Sequence, residues 1–338
     1  MRARVRLEVR YPVCADALVL RTADDWDRDL VPVAATAEGA VFDLAFDGPF
    51  LALKPCLRRA GALHWSVGDD YVLSAHEPDP VIWPAFFASP RGEVSPLLRF
   101  EGAGRSHAVR VYTPPGYAEN TLRRFPVLYM QDGKNLFFPD EAFGGQEWRV
   151  DETMDRLDQM NSVRKVIVVG VAPHERMVDY TAPGYDAYGR FLTTTLKPAI
   201  DAGWRTRPEP ASTVVSGSSL GGVVSLWLAW HHPEVFGGAM CMSSTFGFQD
   251  DLFERLETEP RPPIRIYLDS GWPRDNFDAT NAMRDLLVAR GFTLGDDLLA
   301  FSFPEGTHQE ASWAARLHVP FQFFFGRAWA AARARHPP

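Results

Sequence analysis

A serine in a Gly-x-Ser-x-Gly pattern could serve as a catalytic nucleophile. It lies in residues 214–222 (VVSGSSLGG), where β-branched residues precede the pattern and an apolar run follows it. This order predicts a strand, a sharp turn and a helix, with Ser219 at the apex. Gly217 and Gly221 suit the turn because a Cβ at either position would clash as strand and helix pass closely. Backbone N–H groups at the start of the helix could then stabilise an oxyanion. The alternative is a glycine-rich turn without chemistry.

A serine hydroxyl needs a base within hydrogen-bond reach to become a nucleophile. The histidines downstream of Ser219 are His231, His232, His308, His318 and His336. The first two lie about three turns along the helix of the serine itself, too far from its start to reach the hydroxyl. His318 follows a predicted helix, and His336 lies in the terminus. His308 lies in the loop after a strand predicted at 299–303, so we predict that it is the base. It could instead only cap the following helix.

The acid that orients the imidazole should follow the strand predicted at 264–268. Asp269 ends this strand, and Asp275 lies further along the loop, before the next helix. We favour Asp275, because aspartates at strand ends often serve turns. Asp269, or a Ser–His pair with no acid, stays open as an alternative.

Two convergent N–H donors are needed to hold an oxyanion. The Leu220 amide follows the serine directly, and the second donor should come from the loop after the strand predicted at 127–130. In that loop, Gly133 would let the backbone bend close to the substrate, so that the Lys134 amide points toward it. The Lys134 side chain could be an ordinary solvated cation.

Loops after the strands should shape the substrate pocket, as in other α/β sheets. Residues 137–148 and 173–185 are polar and aromatic, and we expect both to overhang Ser219. The candidate pocket residues are Trp148, Arg176, Tyr180, Trp272 and Trp313. Arg176 would suit an anionic or catecholate oxygen as a hydrogen-bond fork, or it could pair with Asp179 or another nearby carboxylate. Each of the five could equally be scaffold.

The elements that must position these residues begin only after the first quarter of the chain. Residues 1–80 contain short strands separated by turns, which predicts a small β-sandwich. The proline-rich stretch at 81–92 predicts a linker. From 93 to 338, strand-like segments alternate with helical ones, and strands such as 166–171 are apolar on both faces. This pattern predicts an α/β fold with a parallel sheet between helices.

The composition of the 338 residues, 46% hydrophobic and 23% charged, fits two ordinary globular domains. A net charge of −8 without a long acidic block indicates no nucleic-acid partner. Cys14, Cys56 and Cys241 lack metal-binding spacing, which suits a reducing cytoplasm. The start lacks the apolar stretch of a signal peptide, and no apolar run is long enough to span a bilayer. We therefore expect a cytoplasmic protein without membrane contact.

The second domain resembles the esterase D superfamily, most closely its enterochelin-esterase-like and feruloyl- or acetylxylan-esterase branches. The segments that carry the resemblance are 128–137 (LYMQDGKNLF), 147–151 (EWRVD), 168–173 (VVGVAP), 176–180 (RMVDY), 217–222 (GSSLGG) and 306–313 (GTHQEASW). The resemblance implies an α/β-hydrolase fold, with the Lys134 amide as an oxyanion donor. It places the acid a few residues after a strand-end glycine, which matches Asp275 after Gly271.

The first domain resembles the immunoglobulin-like, early-set β-sandwiches that precede many such esterases and are related to glycogen-binding modules. Residues 25–33 (DWDRDLVPV) and 50–55 (FLALKP) carry this likeness. Trp26 and Trp65 could stack on sugar rings, since aromatic faces suit the apolar face of a pyranose. They could equally pack within the sandwich or against the second domain.

The sequence therefore predicts a carboxylic ester hydrolase that forms an acyl-enzyme on Ser219, with no metal and no cofactor. Glu147, Asp151 and Glu152 are spaced as a helix start, not as metal ligands. Two alternatives stay open: acyl transfer to a sugar or alcohol, as in the related mycolyltransferases, and a glycan-binding protein with a vestigial hydrolase domain. The substrate could be a siderophore, a feruloylated or acetylated sugar, or a short acyl ester. Exposed sandwich edges could support a homodimer.

Overall fold

The computed structural model describes residues 2–13, 16–76, 80–102 and 104–327. Cys14 and His336, both considered above, lie outside the described residues. Among the described residues, no helix combines the length and the apolar character needed to cross a bilayer.

Two small sheets face each other in the first part of the chain. Their strands are β1 (Arg2–Arg10), β2 (Ala17–Thr22), β3 (Asp25–Leu30), β4 (Ala34–Thr36), β5 (Gly39–Asp47), β6 (Phe50–Arg59), β7 (Ala62–Trp65), β8 (Tyr71–Ser74) and β9 (Val81–Ile82). One sheet has the order β4-β5-β1-β9, and the other has β3-β2-β6-β7 with β8 beside β6. Alternate residues of β5, namely Phe42, Leu44 and Phe46, are buried between the sheets, as a half-buried strand requires. Because β9 pairs with β1, the predicted linker 81–92 begins with a strand of this sandwich.

A nine-stranded sheet forms the second part of the chain. Its strands are β10 (Glu93–Val94), β11 (Leu98–Gly102), β12 (Arg105–Thr113), β13 (Val127–Gln131), β14 (Ile167–Val171), β15 (Thr213–Ser218), β16 (Gly238–Met242), β17 (Arg265–Trp272) and β18 (Leu298–Pro304). The order is β10-β12-β14-β13-β15-β16-β17-β18, with β11 beside β12. The strands β13 to β18 are parallel, and β12 runs antiparallel to β14. Every residue of β13, β14 and β16 is buried, because helices cover both faces of a parallel sheet.

Helices connect these strands and cover the sheet. They are α1 (Val150–Gln159), α2 (Arg176–Asp179), α3 (Tyr185–Phe191), α4 (Lys197–Gly203), α5 (Leu220–His231), α6 (Leu252–Thr258), α7 (Phe277–Ala289), α8 (Glu310–Arg316) and α9 (His318–Phe325). The helix α5 follows Ser219 directly, as predicted, and is buried all round from its first residue to Trp230, which is typical of a central helix. The predicted α/β-hydrolase arrangement is confirmed. The helix α9 is rich in phenylalanine and includes Pro320, and its buried residues include Phe321, Phe323, Phe324 and Phe325.

The sandwich contacts the second part of the chain at the amino ends of the parallel strands. Glu119, in the loop that leads into β13, accepts hydrogen bonds from the Tyr11 hydroxyl (2.9 Å) and from the Phe86 amide (2.7 Å). Asn120 donates to the carbonyl of Arg10 at 2.9 Å. The catalytic candidates follow the opposite, carboxyl ends of the strands, so the two parts of the chain meet away from Ser219.

Candidate active site

A cavity of about 550 Å³ opens at the carboxyl ends of the parallel strands. Its lining includes Asp132, Lys134, Phe143, His174, Arg176, Ser219, His308 and Trp313. These residues come from loops that are far apart in sequence but end at one edge of the sheet, where ligands bind in α/β folds.

Ser219 occupies the tight turn between β15 and α5. Its backbone angles are φ 55° and ψ −124°, a region that is costly for a residue with a side chain and that is tolerated where the surroundings fix it. The Ser219 amide donates to the carbonyl of Met242 at 3.0 Å. A Cβ on Gly217 would lie 2.5 Å from the carbonyl carbon of Gly221, so the turn requires glycine there. A Cβ on Gly222 would lie only 2.0 Å from the hydroxyl oxygen of Ser244, and the sequence position of Gly222 gave no sign of this.

His308 and Asp275 form a hydrogen-bonded pair at the cavity that Ser219 lines; the imidazole is exposed and the carboxylate is buried. The Nδ1 atom of His308 lies 2.7 Å from Oδ1 of Asp275, which leaves Nε2 as the nitrogen available for proton transfer. Burial alone would raise the pKa of Asp275, but hydrogen bonds from His308, from the Ser243 hydroxyl and from the Gly271 amide outweigh it, and the pKa is lowered. Asp275 therefore stays an anion that can orient the imidazole.

The other acid candidate, Asp269, has a different set of partners. It accepts hydrogen bonds from Nε of Arg316 (3.1 Å) and from the Tyr267 hydroxyl (2.9 Å). Within the described residues it makes no hydrogen bond to His308. Asp269 is thus engaged in a buried ion pair, and Asp275 is the carboxylate that contacts the imidazole.

The Ser219 hydroxyl and His308 face the same cavity. In the described part of the chain, no hydrogen bond joins them. Catalytic hydrogen bonds are often long in unliganded enzymes and tighten when substrate binds, so this arrangement is compatible with His308 as the base.

The backbone amides of Leu220 and Lys134, the two predicted oxyanion donors, have no acceptor among the described residues. Leu220 is the first residue of α5, and Lys134 lies in a single helical turn, Gly133–Asn135, that follows Asp132 in the left-handed conformation. Gly133 is needed because a Cβ there would lie 2.5 Å from the carbonyl carbon of Gly170. The absence of a side chain at Gly133 thus allows close packing against β14. The sequence analysis had instead expected Gly133 to let the backbone come close to the substrate.

Arg176 lines the cavity, but its guanidinium is paired with the carboxylate of Asp132. Two hydrogen bonds join them, Nε to Oδ1 (2.9 Å) and Nη2 to Oδ2 (3.0 Å). Burial works to lower the pKa of Arg176, but the charge of Asp132 outweighs it and the pKa is raised. Asp179, the partner considered from the sequence, instead pairs with Arg105 at 2.5 Å.

The expected aromatic pocket is only partly formed. Trp313 lines the cavity, with its ring edge against His308 at a centroid distance of 5.1 Å. Trp148 is buried behind Trp313 and does not line the cavity. Tyr180 is also buried, and its hydroxyl accepts a hydrogen bond from the Asp132 amide at 3.0 Å. Trp272 is 49% exposed but lies outside the lining. The expectation that Trp148, Tyr180 and Trp272 line the pocket is therefore wrong. Trp148 and Tyr180 are buried outside the lining, and Trp272 lies on the surface.

Phe143, Ser243 and Arg316 were not anticipated. Phe143 is 78% exposed at the cavity, and Ser243 follows β16 at the carboxyl edge of the sheet, a position that could have marked it. Nothing local marks the role of Arg316, because Ser243, Asp269 and Asp275, which it contacts, lie 41 to 73 residues earlier in the chain.

The carboxylates near the start of α1 are arranged as a helix start. Asp151 and Glu152 lie in the first turn of this helix, where the helix dipole favours negative charge. Burial, and then the charge of Glu152, raises the pKa of Asp151 to about 7. Across the described residues, no cluster of three or more histidine, cysteine or acidic side chains is placed to hold a metal ion.

Comparisons with known proteins identify the family and the fold of this chain. The Esterase family model matches residues 101–324. The chain is 23% identical to the uncharacterized protein YbbA of Bacillus subtilis over 243 residues, 64% of this chain and 92% of that protein. Its fold is similar to a ferulic acid esterase (TM-score 0.59, 18% identity, 70% of this chain and 98% of that one). It is also similar to ferric enterobactin esterase from Salmonella typhimurium (TM-score 0.55, 14% identity, 96% and 93%), a match that includes the sandwich.

Proposed function

This chain belongs to the Esterase family, and from that premise we propose a serine carboxylic ester hydrolase with Ser219 as nucleophile, His308 as base and Asp275 as acid. The observation that carries the proposal is that Ser219 and His308 line the same cavity, with Asp275 hydrogen-bonded to the imidazole behind it. The geometry supports an acyl-enzyme mechanism in two halves.

In the first half, Nε2 of His308 removes the Ser219 proton as the hydroxyl oxygen attacks the ester carbonyl carbon. Asp275 holds the imidazole through Nδ1 and stabilises its positive charge. The amides of Leu220 and Lys134 receive the negative charge that develops on the carbonyl oxygen. The C–O bond then breaks, and the alcohol leaves with the proton carried by His308.

In the second half, His308 removes a proton from water, and the water oxygen attacks the acyl carbon bound to Ser219. The same two amides stabilise the second oxyanion. The acid product leaves as the proton returns to Ser219. An alcohol in place of water would give acyl transfer, so product analysis with added acceptor alcohol separates the two reactions.

Replacement of the nucleophile tests the proposal. Ser219→Ala should abolish hydrolysis of short p-nitrophenyl esters and covalent labelling by a fluorophosphonate, since both require the hydroxyl. Ser270→Ala is the matched control, because Ser270 is also a buried serine and its hydroxyl has no partner among the described residues. Retained labelling in Ser219→Ala would show that another residue is the nucleophile.

The proposed substrate is a small ester. The cavity combines the apolar surface of Phe143 and Trp313 with the exposed Lys134, and similar folds act on ferulate and enterobactin esters. A panel of siderophore trilactones, feruloylated and acetylated sugars and short acyl esters, ranked by kcat/KM, identifies the class.

A second activity, glycan binding, is proposed for the sandwich. The ring centroids of Trp26 and Trp65 lie 6.3 Å apart, and Trp65 is 39% exposed. The Arg21 guanidinium lies 5.3 Å from the centroid of the Trp65 ring. Calorimetric titration with soluble glycans tests this, with Trp65→Ala expected to abolish any binding. An absence of binding to every glycan would leave the pair a packing feature.

A further inference from the structure

Ser243 lies directly behind the carboxylate of Asp275. Its hydroxyl donates to Oδ2 of Asp275 at 2.5 Å and accepts from Nε1 of Trp313 at 2.9 Å and from Nη2 of Arg316. A hydroxyl has one proton and two lone pairs. Because two N–H groups occupy the acceptor side, the single proton of Ser243 is directed to Asp275.

Arg316 is a buried cation between two buried carboxylates. Its Nη2 lies 3.0 Å from Oδ1 of Asp269 and 3.4 Å from Oδ2 of Asp275. A buried charge is stable only when it is paired, so Asp269 anchors Arg316 and Arg316 faces Asp275. Trp313 and Arg316 lie three residues apart on α8, and therefore on one face of the helix.

From these contacts we propose that Ser243 and Arg316 are positioning residues for the Asp275–His308 pair, an inference that rests on the proposed function. They fix the rotation of the carboxylate so that Oδ1 meets Nδ1 of His308, and they keep Asp275 ionised. Asp269 acts one step further back, as the anchor of Arg316.

The proposal predicts the direction of a pH effect. Loss of the Ser243 proton donor or of the Arg316 charge leaves the Asp275 carboxylate less stabilised, so it holds a protonated imidazole more strongly. The inactive, protonated form of His308 then persists to higher pH. The other charged groups around the cavity stay in place in such variants: Asp132, Lys134, His174, Arg176 and Glu310.

The test compares Ser243→Ala, Arg316→Gln and Arg316→Lys by the pH dependence of kcat/KM on p-nitrophenyl butyrate. We expect kcat to fall about tenfold to a hundredfold in the first two, as when groups that orient a metal ligand are removed. The acid limb should move up by about one pH unit, with KM nearly unchanged. Arg316→Lys, which keeps the charge, should show a smaller shift of the acid limb than Arg316→Gln. Ser244→Ala is the control, since the Ser244 hydroxyl is buried without a partner among the described residues.

A second readout does not depend on turnover. In Ser219→Ala protein, the downfield NMR resonance of the proton between His308 and Asp275 should broaden or move when Ser243→Ala is added. Folded variants with an unchanged acid limb and an unchanged resonance would overturn the inference. Hydrolysis by Ser219→Ala itself would instead overturn the proposed function, and the NMR result would still decide the role of Ser243.

Discussion

Gly217 leaves no room for a side chain at the turn that carries Ser219. A Cβ there would lie 2.5 Å from the backbone of Gly221, and the backbone of a buried helix cannot move aside cheaply. We expect Gly217→Ala to lower kcat/KM by about a hundredfold, because a displacement of about 1 Å can cost that much. Overpacking should also destabilise the protein by about 1–3 kcal/mol. Steady-state kinetics and urea unfolding measure the two effects.

Gly203→Ala is the matched control, because Gly203 ends α4 and nothing lies within 4 Å of its Cβ position. Its kinetics should equal those of the wild type, and its stability should be unchanged or slightly raised. Identical behaviour of the two variants would mean that close approach of strand and helix does not hold Ser219 in place.

Arg176 is expected to act through Asp132. Asp132 precedes the turn that presents the Lys134 amide, and Arg176 holds its carboxylate by two hydrogen bonds. We expect Arg176→Gln to lower kcat about tenfold on a neutral ester with little change in KM, because one oxyanion donor becomes less well placed. The measurement is kcat and KM on p-nitrophenyl butyrate.

The control for Arg176 is Arg284→Gln, which removes an arginine whose partner, Asp285, is exposed. A rise in KM with kcat unchanged in Arg176→Gln would show that Arg176 contacts the substrate directly, as its sequence position first suggested.

The local sequence was enough to propose Ser219 as the nucleophile and His308 as the base, because a turn motif and a histidine in a loop after a strand can be recognised from neighbouring residues. Asp269 and Asp275 could not be separated in that way. Arg316, 47 residues after Asp269, engages that carboxylate and leaves Asp275 to the histidine. The partner of Arg176 was missed for the same reason, since Asp132 lies 44 residues earlier.

Among the elements, the loop before β13 fastens the sandwich to the sheet. Glu119 accepts three hydrogen bonds from the sandwich side: one from the Tyr11 hydroxyl, and one each from the amides of Phe86 and Phe87. Glu119→Ala should lower the free energy of unfolding by about 1–3 kcal/mol, since three donors lose their acceptor. KM should not change, because the contact is remote from the cavity.

Thermal and urea unfolding measure this effect, with Glu257→Ala as the control at an exposed position. A rise in KM in Glu119→Ala would contradict the separation of the sandwich from the cavity.

The central strands of the sheet were predictable because buried parallel strands are continuous apolar runs. The strand β3 was not, because its sequence DWDRDL is charged and resembles a turn. It is held as an edge strand by the pairing of Asp29 with Arg21 and Arg58. Such long-range ion pairs carry no periodic signal in the sequence.

For the whole molecule, Asp275 links stability to pH. Its pKa is lowered in the folded state, so the stabilisation is fully present above its ordinary value of 3.8 and is lost as pH falls below it. We expect Asp275→Asn to cost about 1–3 kcal/mol near neutral pH. The difference from wild type should shrink at about pH 3. Urea unfolding at both pH values measures it.

Asp285→Asn, at an exposed position, should show no such difference at either pH. A gap between wild type and Asp275→Asn that widened in acid would mean that Asp275 is protonated in the folded protein.

The sandwich contacts the second part of the chain on the side opposite the mouth of the cavity. It can therefore be used for attachment to a surface without covering the active site. Coupling the protein to a bead through an exposed residue of the sandwich would leave the opening turned toward the solution. Such an immobilised preparation is expected to keep processing dissolved esters, including those carried on bulky scaffolds.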